Sequence, residues 1–290
     1  MPDSEYESRF SGDGSNHPDS AAIDQNRRAY DQMAKAGEAL CKPATHDELK
    51  DPLGTVDKIG WLGGNIRGWR VLCLAAGGGR QSSLYATAGA EVTVVDISGE
   101  MLELDRLAAG RYGFEVKTIQ ANMQHMPMLA DQSFDLVIHP VSTCYVPDIA
   151  PVFREVSRVL RPGGLYVSQH KQPVSLQSSL APMANGNYEV RHEYYRSSAV
   201  PPASETTRAA QRLREHRAIE YLHRWEQIVG GMCRAGFVIE DLVEPVHAKT
   251  DADPGDFAHR ASYIAPYVRI KARRRGKQAD TQGKIVLPAY

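Results

Sequence analysis

The sequence has no long apolar run, little cysteine and almost no net charge. Its 290 residues contain no apolar stretch of about 18 residues, the length that a membrane-spanning helix needs. Residues 1–20 are acidic and polar, and they lack the basic and apolar parts of a secretion signal. We therefore expect a cytoplasmic protein with no membrane segment and a disordered tail at 1–20.

Cysteine is scarce and widely spaced. The four residues are Cys41, Cys73, Cys144 and Cys233, and none forms a CxxC pair. Structural zinc sites usually take two of their ligands from such a pair. We therefore predict no metal site, and we interpret the cysteines as reduced, mostly buried thiols.

Charge of one sign does not dominate the chain. The formal net charge is -1, which gives no overall attraction to nucleic acid. Basic residues cluster at 269–277, where we expect a final strand that runs into a solvated basic tail. We therefore do not expect nucleic acid as a partner.

Short apolar segments alternate with helical ones along most of the chain. This alternation predicts βαβ units with right-handed crossovers. The expected fold is α/β, a doubly wound, seven-stranded, mostly parallel sheet. The predicted strands are 70–76, 91–96, 114–120, 134–139, 165–169, 237–243 and 262–271, and the predicted helices are 21–40, 80–88, 99–110, 149–160 and 225–235.

The alternation stops after the fifth predicted strand. Prolines, serines and a cluster of tyrosines interrupt it, as in insertions over the ligand edge of a sheet. We therefore predict a cap insertion there. The expected divisions are a tail (1–20), an N-terminal helix and lid (21–69), a core (70–170), the cap (171–220), the C-terminal part of the fold (221–271) and a basic tail (272–290).

A glycine loop carries the main functional signal. Gly77, Gly78 and Gly79 follow an apolar strand and precede a helix, so a ligand can approach the backbone closely. Asp96 ends the next strand, seventeen residues after Gly79. An acid there can accept both hydroxyls of a ribose. The pattern predicts a nucleoside site, but Ser82 replaces the third glycine of a dinucleotide fingerprint, which disfavours NAD.

Several motifs in order and at the right spacing make this pattern more specific. They are the glycine loop, Asp96-Ile97-Ser98 with Met101-Leu102, Gln120-Ala121-Asn122-Met123, Asp131 to Val137, and Arg158 to Gly164. Together they resemble the cofactor-binding core of class I S-adenosylmethionine (SAM)-dependent methyltransferases, in the UbiE-like or "type 11" group. The resemblance covers about residues 70–271 and implies a Rossmann-like methyltransferase fold that binds SAM.

The resemblance also implies which residues contact the cofactor. Cys73 and Ala75 stand where the family usually has an acid and a glycine, and Asn122 replaces the acid beside adenine. The amide of Asn122 can still hydrogen-bond an adenine edge. The implied cofactor-binding residues are Ala75, Gly77, Gly79, Arg80, Gln81, Asp96, Ile97, Met101, Asn122, Met123 and His139.

Methyl transfer needs alignment of the nucleophile, and a base where an O–H or N–H must lose its proton. His139 and His170 end strands at the ligand edge of the sheet, and either could be that base or a structural histidine.

Tyr145 could cover the methyl group or pack in its loop. Tyr30 could close the site as a lid, and His223-Arg224 could bind an anionic substrate. Tyr188, Tyr194 and Tyr195 could line the pocket or form a packed cap.

The sequence therefore predicts transfer of a methyl group from SAM to an O, N or C nucleophile of a small molecule. The alternatives are a SAM-binding protein without turnover and, less favoured, an NAD(P)-dependent oxidoreductase. The methyl acceptor and the oligomeric state have no signature in the sequence.

Overall fold

The computed structural model describes residues 18–204, 207–215 and 217–276, so the outer parts of both predicted tails lie outside the described residues. Within these ranges seven strands form one sheet. The strands are β1 (Arg70–Leu74), β2 (Glu91–Asp96), β3 (Val116–Gln120), β4 (Phe134–His139), β5 (Leu160–Lys171), β6 (Phe237–Val243) and β7 (Tyr267–Arg274).

Helices flank the sheet and cover its carboxyl edge. They are α1 (Pro18–Ala36), α2 (His46–Lys50), α3 (Pro52–Val56), α4 (Arg80–Thr87), α5 (Gly99–Tyr112), α6 (Ala150–Val159), α7 (Pro173–Gln177), α8 (Arg208–Leu213), α9 (Gly231–Arg234) and α10 (Phe257–Ala261). Short 3-10 turns occur at Ala39–Cys41 and Thr143–Tyr145, and a π-helical turn (Glu226–Gly230) precedes α9.

The strand order confirms the predicted fold class. It is β3-β2-β1-β4-β5-β7-β6, and the first five strands are parallel. Strand β7 is antiparallel to both of its neighbours, β5 and β6. The order reverses beside β1, and parallel sheets bind ligands outside the carboxyl ends of the strands at such a point.

Both faces of the sheet are buried, which explains why its central strands read as continuous apolar runs. Leu72 and Leu74 pack on the face covered by α6, together with Phe153. Val71 and Cys73 alternate with them and pack on the opposite face, against Tyr85 of α4. Because side chains alternate along a strand, each central strand contributes to two hydrophobic cores.

Two predicted strand starts were wrong by five residues each. The run Pro162-Gly163-Gly164 was expected to separate a helix from the fifth strand. Instead β5 begins directly after α6, because Leu160 already pairs with Phe134, and the run is accommodated at a register shift. The last strand was predicted to begin at 262. It begins at Tyr267, because residues 262–266 form a turn after α10, in which the N–H groups of Tyr263 and Ile264 donate to the Arg260 carbonyl. The buried Arg260 side chain anchors α10 through hydrogen bonds to the carbonyls of Ser175 and Ser179.

The region 52–68 contains five glycines, which favour loops and turns, yet it includes α3. Pro52 occupies the first turn of this helix, and the Asp51 carboxylate accepts a hydrogen bond from the Gly54 N–H. Both features favour helix initiation.

The predicted helix 225–235 is a π-helical turn followed by α9. It ends before Gly236, whose φ of 90° supports the predicted helix stop.

A cluster of buried charges joins segment 171–220 to the end of β5. Lys171 donates to Glu215 (2.8 Å) and to Glu220, and Arg214 pairs with Glu220 on its other side. We call these four residues the buried ion cluster. Its two cations and two carboxylates balance, as buried charges must if they are to avoid a large desolvation cost. The cluster holds α8 over the carboxyl edge of the sheet.

Across the described ranges, no helix combines the length and apolar character that crossing a membrane requires.

Candidate functional site

A cavity of about 500 Å³ lies along the carboxyl edge of the sheet. At one end, which we call the glycine-loop end, it is lined by the end of β2 and by residues that follow β1, β2 and β3. At the other, the arginine end, it is lined by residues of β5, β7 and α8, by Glu215 after α8 and by the loop after β6. The glycine-loop end includes Ala75, Ala76, Gly77, Val95, Asp96, Ile97, Met101, Ala121, Asn122 and Met123, and the arginine end includes Gln169, Arg212, Glu215, His247, Tyr267 and Arg269.

The glycine loop is fixed by a carboxylate that the sequence analysis did not single out. Asp105 of α5 accepts hydrogen bonds from the backbone N–H groups of Gly78 and Gly79, both at 3.1 Å, and from the Ser82 hydroxyl at 2.5 Å. Burial raises the pKa of Asp105 to about 7, although these hydrogen bonds oppose the shift. The N–H groups of this loop are therefore partly used inside the protein before any ligand binds.

We expect the Asp105→Asn substitution to flatten the pH dependence of stability. The folded pKa of about 7 lies above the ordinary 3.8, so the folded state holds more protons between these values. The contribution of Asp105 to stability is complete below about pH 4 and is lost as the pH rises through 7. Relative to the variant, the wild type should lose up to about 1.4 kcal/mol per pH unit within this window.

Urea unfolding at pH 5, 6, 7 and 8 measures this difference. The exposed Asp47→Asn change removes the same charge and serves as the control. Parallel stability profiles for wild type and Asp105→Asn would contradict the assignment.

Asp96 lies at the cavity wall and is 8% exposed. One carboxylate oxygen accepts from the Gly77 N–H and the other from the Ser98 N–H, each at 2.9 Å. Burial raises the pKa of Asp96, and the backbone hydrogen bonds partly offset that effect. Each carboxylate oxygen has a second lone pair, so two ligand hydroxyls can still be accepted.

The loop backbone is held in unusual conformations. Ala75 has a φ of 47°, which glycine adopts freely and alanine adopts at a cost of about 1 kcal/mol or more. It occupies the position where the family usually has glycine. A Cβ atom on Gly77 would lie 2.7 Å from the Cβ of Met101, so no larger residue fits there.

Most residues predicted to bind the cofactor line this cavity. They are Ala75, Gly77, Arg80, Gln81, Asp96, Ile97, Met101, Asn122 and Met123. Gly79 does not: it lies at the start of α4, with a φ of 80° and its N–H bonded to Asp105. Arg80 is paired with Glu48 of α2 at 2.5 Å, which brings α2 to the glycine loop.

His139 is 1% exposed and does not line the main cavity. Its Nδ1 lies 2.7 Å from the Tyr166 hydroxyl and its Nε2 lies 2.6 Å from the Ser142 hydroxyl. It lines a second cavity of about 310 Å³, which is also lined by residues of α3 and β5. Burial lowers its pKa to about 3, so the ring is neutral and orients Ser142, which does line the main cavity.

His170 and His223 are also buried and neutral. His170 lies 2.8 Å from the hydroxyls of Thr143 and Ser168, and burial lowers its pKa to about 3. It lines neither cavity. His223 Nε2 lies 3.0 Å from the carbonyls of Thr143 and Val146. Both histidines contact the turn at Thr143–Tyr145, and neither lines the main cavity.

Tyr145 is the predicted catalytic residue that does reach the main cavity. It is 7% exposed, and its ring meets that of Tyr30 edge-on with centroids 5.5 Å apart. Its hydroxyl makes no hydrogen bond of ordinary geometry to any described residue. Burial raises its pKa, and the nearby Glu215 carboxylate adds to the effect. Tyr30 also lines the cavity, whereas Tyr188, Tyr194 and Tyr195 do not.

Asn26 of α1 links three parts of the site. Its side-chain amide donates to the carbonyls of Tyr145 and Ile219, both at 3.0 Å, and its Oδ1 accepts from the Ile219 N–H at 2.6 Å. Helix α1 is thereby attached to the turn after β4 and to the segment after α8. Asn26 itself lines the cavity.

Sequence reasoning missed the arginine end. Arg269 was assigned to a strand leading to a basic tail, but its side chain shares one face of β7 with Tyr267 and lines the cavity. Arg212 and His247 lie in segments without a regular pattern, so only the folded chain brings them to Arg269. In the described part of the chain, no group of His, Cys, Asp and Glu is arranged to hold a metal ion.

Comparisons with known proteins agree with this geometry. Residues 72–168 match the methyltransferase domain family. A Bacillus subtilis protein described as an uncharacterized methyltransferase, YbaJ, is 30% identical over 235 residues, which cover 77% of this chain and 91% of that protein. The ubiquinone/menaquinone biosynthesis C-methyltransferase UbiE of Bartonella henselae is 36% identical over 104 residues, which cover 34% of this chain and 40% of UbiE.

A solved structure shares the fold. The SAM-dependent methyltransferase from Mesorhizobium loti superposes with a TM-score of 0.59 at 23% identity, covering 78% of this chain and all of that one. The fold is that of a Rossmann-like methyltransferase, as shown by the order of the strands, the glycine loop and the position of Asp96 at the end of β2. The chain belongs to the class I SAM-dependent methyltransferase family and is an enzyme of that class.

Proposed function

We propose that this enzyme binds SAM at the glycine-loop end and transfers its methyl group to an O, N or C nucleophile of a small molecule held at the arginine end. The observation that carries the proposal is that Asp96, Tyr145 and Arg269 line one and the same cavity. A volume of about 500 Å³ is within the range of small-molecule sites. The acceptor and the cofactor would then meet inside one partly enclosed cavity.

The residues at the glycine-loop end fit the nucleoside of SAM. Asp96 keeps lone pairs for the ribose hydroxyls. Ile97, Met101 and Met123 offer apolar surface for adenine. Asn122 accepts a hydrogen bond from the Gln124 N–H at 2.9 Å, and its side-chain amide can donate to the adenine edge.

When bound, SAM supplies a methyl group on a positively charged sulfur, which is already a good leaving group. The protein therefore has to align the acceptor and exclude water. Tyr30 and Tyr145 both line the cavity, and their rings meet edge-on. The Tyr145 hydroxyl, which lies near the Glu215 carboxylate, can hydrogen-bond a ligand there.

A base is needed only for O–H or N–H acceptors. We assign this role to Glu215, which lines the cavity, and not to His139 or His170. Lys171 lowers the pKa of Glu215 against the effect of burial, so its carboxylate is ionised. It can accept a hydrogen bond from the nucleophile and orient it.

Calorimetric titration of the full chain with SAM, S-adenosylhomocysteine and NADH tests the proposal. We expect one equivalent of SAM and of S-adenosylhomocysteine to bind, and no binding of NADH. A panel of small O, N and C nucleophiles is then assayed for S-adenosylhomocysteine release. NADH binding alone would overturn the proposal, and SAM binding without turnover on any acceptor would favour a regulatory protein.

A further inference from the structure

Three basic side chains from separate segments meet at the arginine end. Arg212 comes from α8, Arg269 from β7 and His247 from the loop after β6, and all three line the main cavity. The positive charges of Arg212 and Arg269 both act on His247. They lower its pKa further than burial alone does. The three groups therefore share one local electrostatic field.

These side chains are held by neutral groups. The Arg212 guanidinium lies 4.0 Å from the centroid of the Phe257 ring, and that ring also packs against His247. The Nε of Arg269 donates to Gln169 Oε1 at 2.8 Å. No described carboxylate lies within ion-pair distance of Arg212, Arg269 or His247. Aromatic stacking and an amide fix the arginines but leave both charges uncompensated.

The carboxylate that lines this end of the cavity does not neutralise the two arginines. Glu215 is held at 2.8 Å by Lys171 within the buried ion cluster, whose charges already balance. The arginine end therefore has an excess of two positive charges. Guanidinium groups in a partly enclosed cavity bind oxyanions strongly, because their N–H groups match the geometry of carboxylate and phosphate.

We propose that the methyl acceptor carries an oxyanion, a carboxylate or a phosphate, that is bound between Arg212 and Arg269 with His247 as a third contact. This inference rests on the proposed function and defines its substrate class. It assigns the anionic group of the acceptor to the arginine end and its nucleophile to the region of Glu215 and Tyr145. The arginines bind and position the acceptor without taking part in methyl transfer.

The test uses the full chain with and without saturating S-adenosylhomocysteine, titrated with inorganic phosphate and with acetate at constant ionic strength. We expect saturable binding of one anion in both states. Arg212→Gln and Arg269→Gln should each weaken it about tenfold, the effect of losing a hydrogen bond to a charged group. Arg269→Lys should retain part of the affinity. Tighter phosphate binding would assign a phosphorylated acceptor, and tighter acetate binding a carboxylate.

Arg154→Gln is the matched control, because Arg154 is exposed on α6 and lines neither cavity. It should leave anion binding unchanged, and all variants should keep the wild-type affinity for S-adenosylhomocysteine. That second readout separates the two proposals. Failure of the wild type to bind S-adenosylhomocysteine defeats the proposed function, whereas the anion titration of the free chain still decides the inference.

Two results would overturn the inference. One is anion binding that is absent, non-saturable or equal in wild type and both glutamine variants. The other is displacement of the anion by S-adenosylhomocysteine together with weaker S-adenosylhomocysteine binding in the arginine variants. That outcome would assign the arginines to the amino-acid end of the cofactor.

Discussion

Replacing Asp96 by alanine is expected to weaken S-adenosylhomocysteine binding by about 100-fold or more. Hydrogen bonds to a charged group contribute about 1.5–3 kcal/mol each, and each tenfold in affinity is about 1.4 kcal/mol. Two ribose hydroxyls would lose their acceptor. Calorimetric titration measures the affinity.

The substitution also removes the acceptor of the Gly77 and Ser98 N–H groups, which costs about 1–3 kcal/mol of stability for each. Thermal unfolding must therefore show that the variant is folded at the temperature of the titration. Asp96→Asn keeps the shape and one acceptor oxygen, and we expect an intermediate affinity. Unchanged affinity in a folded Asp96→Ala protein would place the ribose elsewhere.

Replacing Lys171 by methionine is expected to lower the free energy of unfolding by about 3–5 kcal/mol. Removing one partner of a buried ion pair leaves an uncompensated buried charge. Here Glu215 and Glu220 would face each other with only Arg214 as a cation. Urea unfolding monitored by circular dichroism measures the loss.

A second change should restore part of that stability. Lys171→Met with Glu215→Gln leaves the Arg214–Glu220 pair balanced, so the double variant should be more stable than the sum of the single changes predicts. Lys50→Met breaks an exposed pair with Asp47 and should cost less than about 1 kcal/mol. Additive losses in the double variant would mean that the four charges do not act as a unit.

The sheet could be predicted from sequence because its signals are local. Residues 71–74 are apolar without interruption because both faces of β1 are buried, and the predicted bounds of β2, β4 and β6 agree with the structure. The start of β5 was wrong because glycine and proline usually end elements, whereas here the pairing of Leu160 with Phe134 prevails.

The position of the glycine-loop end could also be predicted from sequence, because consecutive parallel strands bring their carboxyl ends to one edge of the sheet. The direction of individual side chains is harder to predict. Leu107 of α5 is apolar yet exposed, whereas the charged Asp105 is buried, where it holds the loop. His139 is the last residue of β4 and His170 is the residue before the last of β5, and hydroxyl groups contact both nitrogens of each ring.

The arginine end could not be predicted, because residues 212, 247 and 269 belong to three segments with no shared pattern. Only the packing of β7 beside β5 and the placement of α8 bring them together.

The hydrogen bonds of Asn26 make three segments a single cooperative unit. One side chain satisfies two carbonyls and one N–H on the turn after β4 and on the segment after α8. If α1 moves away, all three groups lose their partner at once. Displacement of α1 therefore breaks its contacts with the turn after β4 and with the segment after α8 together, whereas Asp31 separately ties α1 to the start of α5.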